Sequence, residues 1–331
     1  MGSFRWIYRL RGVTVAILTT VIICTCSQTP PPLRIGTLLW PGYEPLHLAS
    51  ELGYFGDTTV HLVEYSFDVE QNRAFRNGEI DIIASTMSEA LTLAEYNRNL
   101  RSLLVLDVSD GADAIISQAD IESVEQLQGR KVAIEPSPLS VLMLTRALET
   151  AGLTWEDVEI VQMEVQDQST AFTQGSIDAM VTYEPVRSKL LANGANLIFD
   201  SSQIPGEIVD VLVGDQKLLN SRPQQMKILV QGWFRALNYI QKQPEDAARR
   251  MAKRQGITTE QFLQSLEGLH FVSPRENQQW LSKSDPQLFN GAKRLAQFLF
   301  EKKLTQNLVD PSALLTDELV NNSALVETAY E

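Results

Sequence analysis

Residues able to hold or transform a small molecule gather in four short polar segments, each following an apolar run and preceding a helical pattern. The first is Trp40-Pro41-Gly42-Tyr43-Glu44. Gly42 permits close backbone approach there, and the rings of Trp40 and Tyr43 suit a planar or methylene-rich guest, unless Trp40 only caps a sheet edge. The second, Ser85-Thr86-Met87-Ser88, places hydroxyls and free N–H groups at a helix start, a setting for an anion or carboxylate. Plain capping accounts for one of those hydroxyls. The third, Glu135-Pro136-Ser137-Pro138-Leu139-Ser140, offers Ser137 and Ser140, although its two prolines remove two donors. In the fourth, Thr182-Tyr183-Glu184 follows the apolar run Ala179 to Val181 and precedes Pro185, which suits a first helical turn. Glu184 can accept from an amine or amide, or cap its own helix. The expected ligand contacts are therefore Trp40, Gly42, Tyr43, Ser85, Thr86, Met87, Ser137, Ser140, Thr182 and Glu184. Asp110 and Asp113 flank a turn that could face the same cleft; surface turn residues are the simpler reading.

Catalytic groups are scarce. The three histidines, His47, His61 and His270, share no helical face, and neither a nucleophile elbow nor a phosphate loop occurs. Glu44 and Glu51 lie one turn either side of His47, a spacing for a metal if a third ligand arrives, but more commonly a helix-surface pairing. No catalytic residue, metal or cofactor is expected, because a working site needs several convergent groups.

The elements that would position the four segments alternate. Strand patterns at Leu33 to Leu39, Val60 to Ser66 and Ile80 to Ala84 interleave with helical ones at Pro45 to Leu52 and Val69 to Asn77. The fold class is α/β: two lobes of mixed, mostly parallel sheet flanked by helices and joined by two hinge strands. Lobe 1 is expected at 33–110 and 208–310 and lobe 2 at 111–207, with helices after Ser221 buttressing the first. Met226, Leu229, Trp233, Leu237 and Ile240 recur at helical spacing, which makes Trp233 a core residue; Lys253-Arg254 reads as a solvated helix face. Residues 311–331 read as a frayed tail. In open α/β sheets ligands bind beyond the carboxyl ends of the strands, where the four segments fall.

The start of the chain has export-signal architecture. Arg5, Arg9 and Arg11 precede the apolar stretch Val13 to Ile23, which is shorter than the roughly 20 residues of a spanning helix. Cys24 and Cys26, the only two cysteines, close it, so the body has no disulfide and no thiolate metal site. A small residue before Cys resembles a bacterial lipobox, with residues 1–25 removed and Cys26 carrying lipid; an ordinary secretory signal or a retained anchor are the alternatives. Residues 26–32 then form a proline-rich tether. The net charge of −13 becomes about −16 without the signal, which makes nucleic acid and anionic membrane surfaces poor partners.

Taken in order, Trp40-Pro41-Gly42-Tyr43, Glu51-Leu52-Gly53-Tyr54-Phe55, Asn77-Gly78-Glu79-Ile80-Asp81 and Gly175-Ser176-Ile177-Asp178-Ala179 with Glu184-Pro185 carry a resemblance. They resemble periplasmic substrate-binding proteins of ABC importers, in the nitrate, sulfonate, taurine and thiamine-pyrimidine group, over roughly Leu33 to Lys303. That resemblance implies a monomeric receptor of type II binding-protein fold. Such a receptor captures a small solute between two lobes outside the cytoplasm and delivers it to a membrane permease. The family's loop positions fall on Tyr43, Ser85, Ser137 and Glu184. A nitrate- or sulfonate-like solute is the first expectation. A thiamine-pyrimidine precursor, a sensing role without transport, and a pyrimidine-synthase-like enzyme are the alternatives, the last weakened by the cysteine-free body.

Overall fold

β1 (Leu33–Thr37) is buried along nearly its whole length and runs, through a single 3-10 turn at Pro41–Tyr43, into α1 (Glu44–Glu51). Proline near the first turn of each helical segment fits, because its fixed φ is helical and its missing donor would be unused there. The computed structural model describes residues 31–56, 60–282 and 286–321. The expected signal, Cys24 and the lipid-bearing Cys26 lie outside them. From Pro32 onward the chain packs as one compact unit. Among the described residues no helix is long and apolar enough to cross a membrane.

The alternation continues with β2 (Val60–Glu64), α2 (Asp68–Arg76), β3 (Ile82–Thr86), α3 (Met87–Tyr96) and β4 (Leu100–Ser109). A second run holds β5 (Asp113–Ser117), β6 (Lys131–Ile134), α4 (Pro138–Thr150), β7 (Glu159–Gln162), α5 (Val165–Thr173), β8 (Ala179–Tyr183), α6 (Val186–Leu191) and β9 (Asn196–Asp200). Then come β10 (Val209–Asp215), α7 (Gln216–Ser221), α8 (Pro223–Lys242), α9 (Pro244–Gln255), α10 (Thr259–Glu267), β11 (Leu269–Phe271), α11 (Pro274–Leu281) and α12 (Pro286–Glu301).

Two sheets result, in the orders β11-β4-β10-β3-β1-β2 and β7-β6-β8-β5-β9. Parallel pairing, which the alternation implies, is confined to the triads β2-β1-β3 and β7-β6-β8; β5 and β10, the strands that follow the crossings, run against them. The chain leaves the first sheet at Asp110–Ala112 and returns through Ser201–Ile208. Side chains alternate on β5, so Ile115 joins the large core while Ala114 and Ile116 face a smaller one with Phe172, Met180 and Leu190.

The α8 stripe is buried as its spacing predicts, with Trp233 wholly enclosed and edge-on to Phe271 at 6.3 Å. Two expectations at the C-terminal side fail. Arg254 does not simply face water: it reaches back to Glu44 of α1 at 3.1 Å, because that carboxylate is buried and needs a counter-charge. Residues 311–321 do not fray. Ser102 donates its N–H to Leu314 at 2.7 Å, Gln278 donates to the Val320 carbonyl at 2.8 Å, and Leu314 and Val320 are buried. Residues 322–331 lie outside the described residues.

Candidate functional site

The carboxyl ends of β1, β3, β6 and β8 converge with the starts of β5 and β10, which run the other way, so six segments present their loop ends to one space. The space is a small, partly open cavity between the two sheets. Trp40 and Tyr43 line it from beyond β1, Thr86 from the end of β3 and Asp68 from the start of α2. Opposite stand Asp113 of β5, Tyr183 of β8 and Glu135 and Leu139 beyond β6, with Asp210 of β10 at the base. Trp40 meets Tyr183 edge-on with centroids 6.0 Å apart, so an aromatic contact joins the two sheets across the cavity.

Beneath these rings is a set of acids. Tyr43 donates its hydroxyl to Asp210 Oδ1 at 3.1 Å, and Trp40 donates Nε1 to Asp107 Oδ1 at 3.4 Å. Burial raises the Asp210 and Asp107 carboxyls well above the ordinary range, and the pair shares a hydrogen bond, which requires a proton on one of them. Burial also lifts Asp113 to about 7, aided by the charge of Glu184 and opposed by the Ser109 hydroxyl. Glu135 rises to about 8, again chiefly through burial, with Asp68 and Glu164 adding repulsion. Asp68 and Glu89 are displaced upward by the same two causes. Among the described residues no Arg, Lys or His forms an ion pair with Asp68, Glu89, Asp107, Asp113, Glu135 or Asp210.

Of the residues singled out from sequence, Trp40, Tyr43 and Thr86 line this cavity together. Gly42 lies behind them, where a Cβ would stand 2.2 Å from Asp107 Oδ2 and 2.3 Å from Trp40 Nε1, so the backbone has room for glycine alone. The others are used elsewhere. Ser85 is buried within β3 opposite Val211, and Met87 faces a separate cavity beside α12. Ser137 caps α4 by accepting from the Ser140 N–H at 3.2 Å, and the Ser137 hydroxyl also donates to Ser140 Oγ at 3.2 Å. Thr182 sits opposite Ala114, on the alternate face of β8 from Tyr183, with its hydroxyl unpartnered. Glu184 accepts from Arg187 at 3.1 Å and from the Ser188 hydroxyl and N–H at 2.8 and 3.2 Å, so it braces its own helix start.

Sequence reasoning passed over Asp68, Asp107 and Asp210, gave Glu135 and Tyr183 no contact of their own within its polar segments, and gave Asp113 to the surface, whereas it is 3% exposed and in the cavity wall. The available signal was an aspartate inside an apolar strand, in Leu103-Leu104-Val105-Leu106-Asp107 and Val209-Asp210-Val211. His47 and Glu44 do not make a metal site. Burial and the Arg254 charge drop His47 to about 3, and it lies 3.3 Å from Arg254 and 3.1 Å from the Thr37 hydroxyl.

Two mixed sheets, two connections between them and a cavity at their carboxyl ends define the periplasmic-binding-protein architecture. The aliphatic sulphonate binding protein SsuA of Escherichia coli superimposes with a TM-score of 0.71 at 19% identity, covering 87% of this chain and 92% of that one. The desulfurization enzyme DSZB shares the fold at a TM-score of 0.65 and 18% identity, over 89% of this chain and 99% of its own. The family model described as NMT1/THI5 like matches residues 40–247, and the chain belongs to that family. A relative in Escherichia coli (strain K12), whose name gives it as binding aliphatic sulfonates, is 32% identical over 153 residues, 45% of this chain and 48% of that protein. The chain thus spans about half the length of the curated relatives it matches.

Proposed function

We propose that this chain is the extracytoplasmic solute-binding component of an ABC importer, capturing a small solute between two lobes and handing it to a membrane permease. The lobes are 33–110 with 208–310, and 111–207, and the hinge is the pair of connections at Asp110–Ala112 and Ser201–Ile208. The observation that carries this reading is the cavity itself, whose walls come from both sheets while only two connections join them. A guest touching both walls favours the closed arrangement by its differential affinity. The wall holds carboxyls, phenols and an indole but neither thiol nor imidazole, which suits retention of a guest and not its conversion. Cys26 would carry the lipid that tethers the receptor at the outer face of a bacterial membrane. The relatives' names put sulfonates first among solutes to try.

The test is thermal unfolding of the purified chain with ethanesulfonate, taurine, nitrate, benzamidine, agmatine and phenethylamine in turn. A cognate solute at about 100 times its dissociation constant stabilises the folded form by about 2.7 kcal/mol. Small-angle scattering at saturation should show contraction. Stabilisation without contraction removes the two-lobe reading, and no stabilisation by any of the six removes solute capture.

A further inference from the structure

We propose that the solute is a small organic cation bearing N–H donors, its charge held among Asp68, Asp113, Glu135 and Asp210 and its body against Trp40, Tyr43 and Tyr183. This deepens the solute-capture reading and rests on it.

Three acids away from the cavity and the layer behind it have cationic partners. Glu44, 1% exposed, has Arg254 and Gln255 as partners; Glu184, equally enclosed, has Arg187; Asp81 has Arg34 at 2.8 Å. Each of these three acids is thus matched to a cation, as the cost of enclosing a lone charge requires. The cavity acids are not. Glu135 is 8% exposed, lines the space, and has no cation among the described residues and a backbone hydrogen bond with Val165; Asp107, wholly enclosed just behind the wall, has no cation there either. Open carboxylate oxygens in an enclosed cavity accept N–H bonds and repel a second anion. A sulfonate or nitrate would add a permanent negative charge where no cation among the described residues can compensate it.

Three further features select the kind of cation. Among the described residues no three His, Cys, Asp or Glu side chains group as a metal site, so a bare divalent ion is not matched. The Trp40 and Tyr183 rings, 6.0 Å apart and nearly perpendicular, present π faces and edges that hold an organic cation's apolar body. The cavity is small and partly open, which limits the guest to a small one.

The groups facing this space from each element are Tyr43 from beyond β1, Asp68 of α2, Asp113 of β5, Glu135 after β6, Tyr183 of β8 and Asp210 of β10. Glu89 of α3, Asp107 of β4 and Glu164 ahead of α5 stand behind them. All are acids or phenols, and burial holds several carboxyls partly protonated near neutrality. A cation favours their ionised form, so binding should release protons and strengthen as pH rises. An anion gripped by protonated carboxyls would do the reverse.

Isothermal titration of the full chain with benzamidine, agmatine and phenethylamine against ethanesulfonate and nitrate, at pH 5.5 and 8.5 in two buffers of different ionisation heat, decides the matter. The expected result is saturable binding of at least one cation, tenfold or more tighter at pH 8.5, with proton release. It should weaken at least tenfold in Glu135→Gln and in Asp113→Asn, while near-ultraviolet circular dichroism stays unchanged. Binding of ethanesulfonate or nitrate with no cation bound overturns the charge assignment and leaves the solute-capture reading standing. Cation binding indifferent to both substitutions also overturns it. No saturable binding by any of the five removes both.

Discussion

Asp113→Asn should make the ligand-free protein more stable, by an amount that grows with pH. Asp113 has an ordinary value of 3.8 and is raised to about 7 in the folded protein, chiefly because it is buried in the cavity wall with no counter-charge. Between those two values the folded state binds more protons than the unfolded one, so stability falls as pH rises through the window and levels off above about 7. At about 1.4 kcal/mol per pH unit, the full penalty is about 4 kcal/mol. At pH 5 about 2 kcal/mol of it is already present, because the unfolded chain has ionised there. Asn keeps the shape and an acceptor for the Ser109 hydroxyl but never acquires charge. Its advantage over Asp113 should therefore increase by about 2–3 kcal/mol from pH 5 to pH 8.5, and any fixed difference between Asn and a neutral carboxyl cancels in that comparison. Urea unfolding of both proteins at the two pH values measures it, as a shift in midpoint on the order of 1 M. An advantage that is flat or shrinks toward pH 8.5 would refute the claim that this carboxyl is buried without a counter-charge.

Arg254→Ala should cost about 3 kcal/mol at pH 7.5, since it strands the Glu44 carboxylate, whose value burial already lifts to about 7 despite the Arg254 charge. The loss should shrink below pH 6, where Glu44 can take a proton; an equal loss at both pH values in urea melts would mean the arginine acts through packing alone. Gly232→Ala on α8 should destabilise by about 1–3 kcal/mol although alanine favours helix by about 1 kcal/mol. The added Cβ would lie 2.4 Å from Cε1 of the buried Phe55 ring. Pairing it with Phe55→Leu should recover part of the loss, and a Gly232→Ala protein as stable as the parent would show that the α1–α8 contact can yield.

Much of the scaffold was legible because it follows local rules. The apolar runs of β3 and β6 precede helices whose starts carry Thr86 and Ser137, and both residues do cap them. The helical stripe through Trp233 and the placement of Trp40 and Tyr43 at a strand end followed from spacing alone. The use of polar groups was harder to read: Ser137, Ser140 and Glu184 hold their own helix starts, a use that looks the same in sequence as a ligand contact. The missed residues were missed for the opposite reason. Asp107 and Asp210 sit in strands that are not neighbours in sequence, and only the antiparallel pairing of β4 with β10 sets them side by side. Arg254 and the segment at Leu314 likewise depend on contacts with residues some two hundred positions away.

The position of Asp113 ties the charge of a guest to the motion proposed for capture. It is the first residue of β5, directly after the Asp110–Ala112 crossing, and its N–H donates to the Ser109 hydroxyl at 3.1 Å. Ser109 in turn shares a hydrogen bond of 2.8 Å with Ser201 on the returning connection, and Ser201 accepts from the Gly111 N–H at 2.6 Å. The two connections are thus laced together through two hydroxyls. The residue ahead of β11 holds the first connection: Asp110 donates to the Gly268 carbonyl at 2.8 Å, and a Cβ on Gly268 would meet the Ala112 nitrogen at 2.8 Å. A cation that draws Asp113 into its ionised form must alter the hydrogen bond between that carboxyl, which lines the cavity, and Ser109, which belongs to the lacing. Ser109→Ala would therefore loosen the crossing while leaving the lining acids in place, and it should weaken the contraction seen in scattering more than it weakens solute affinity.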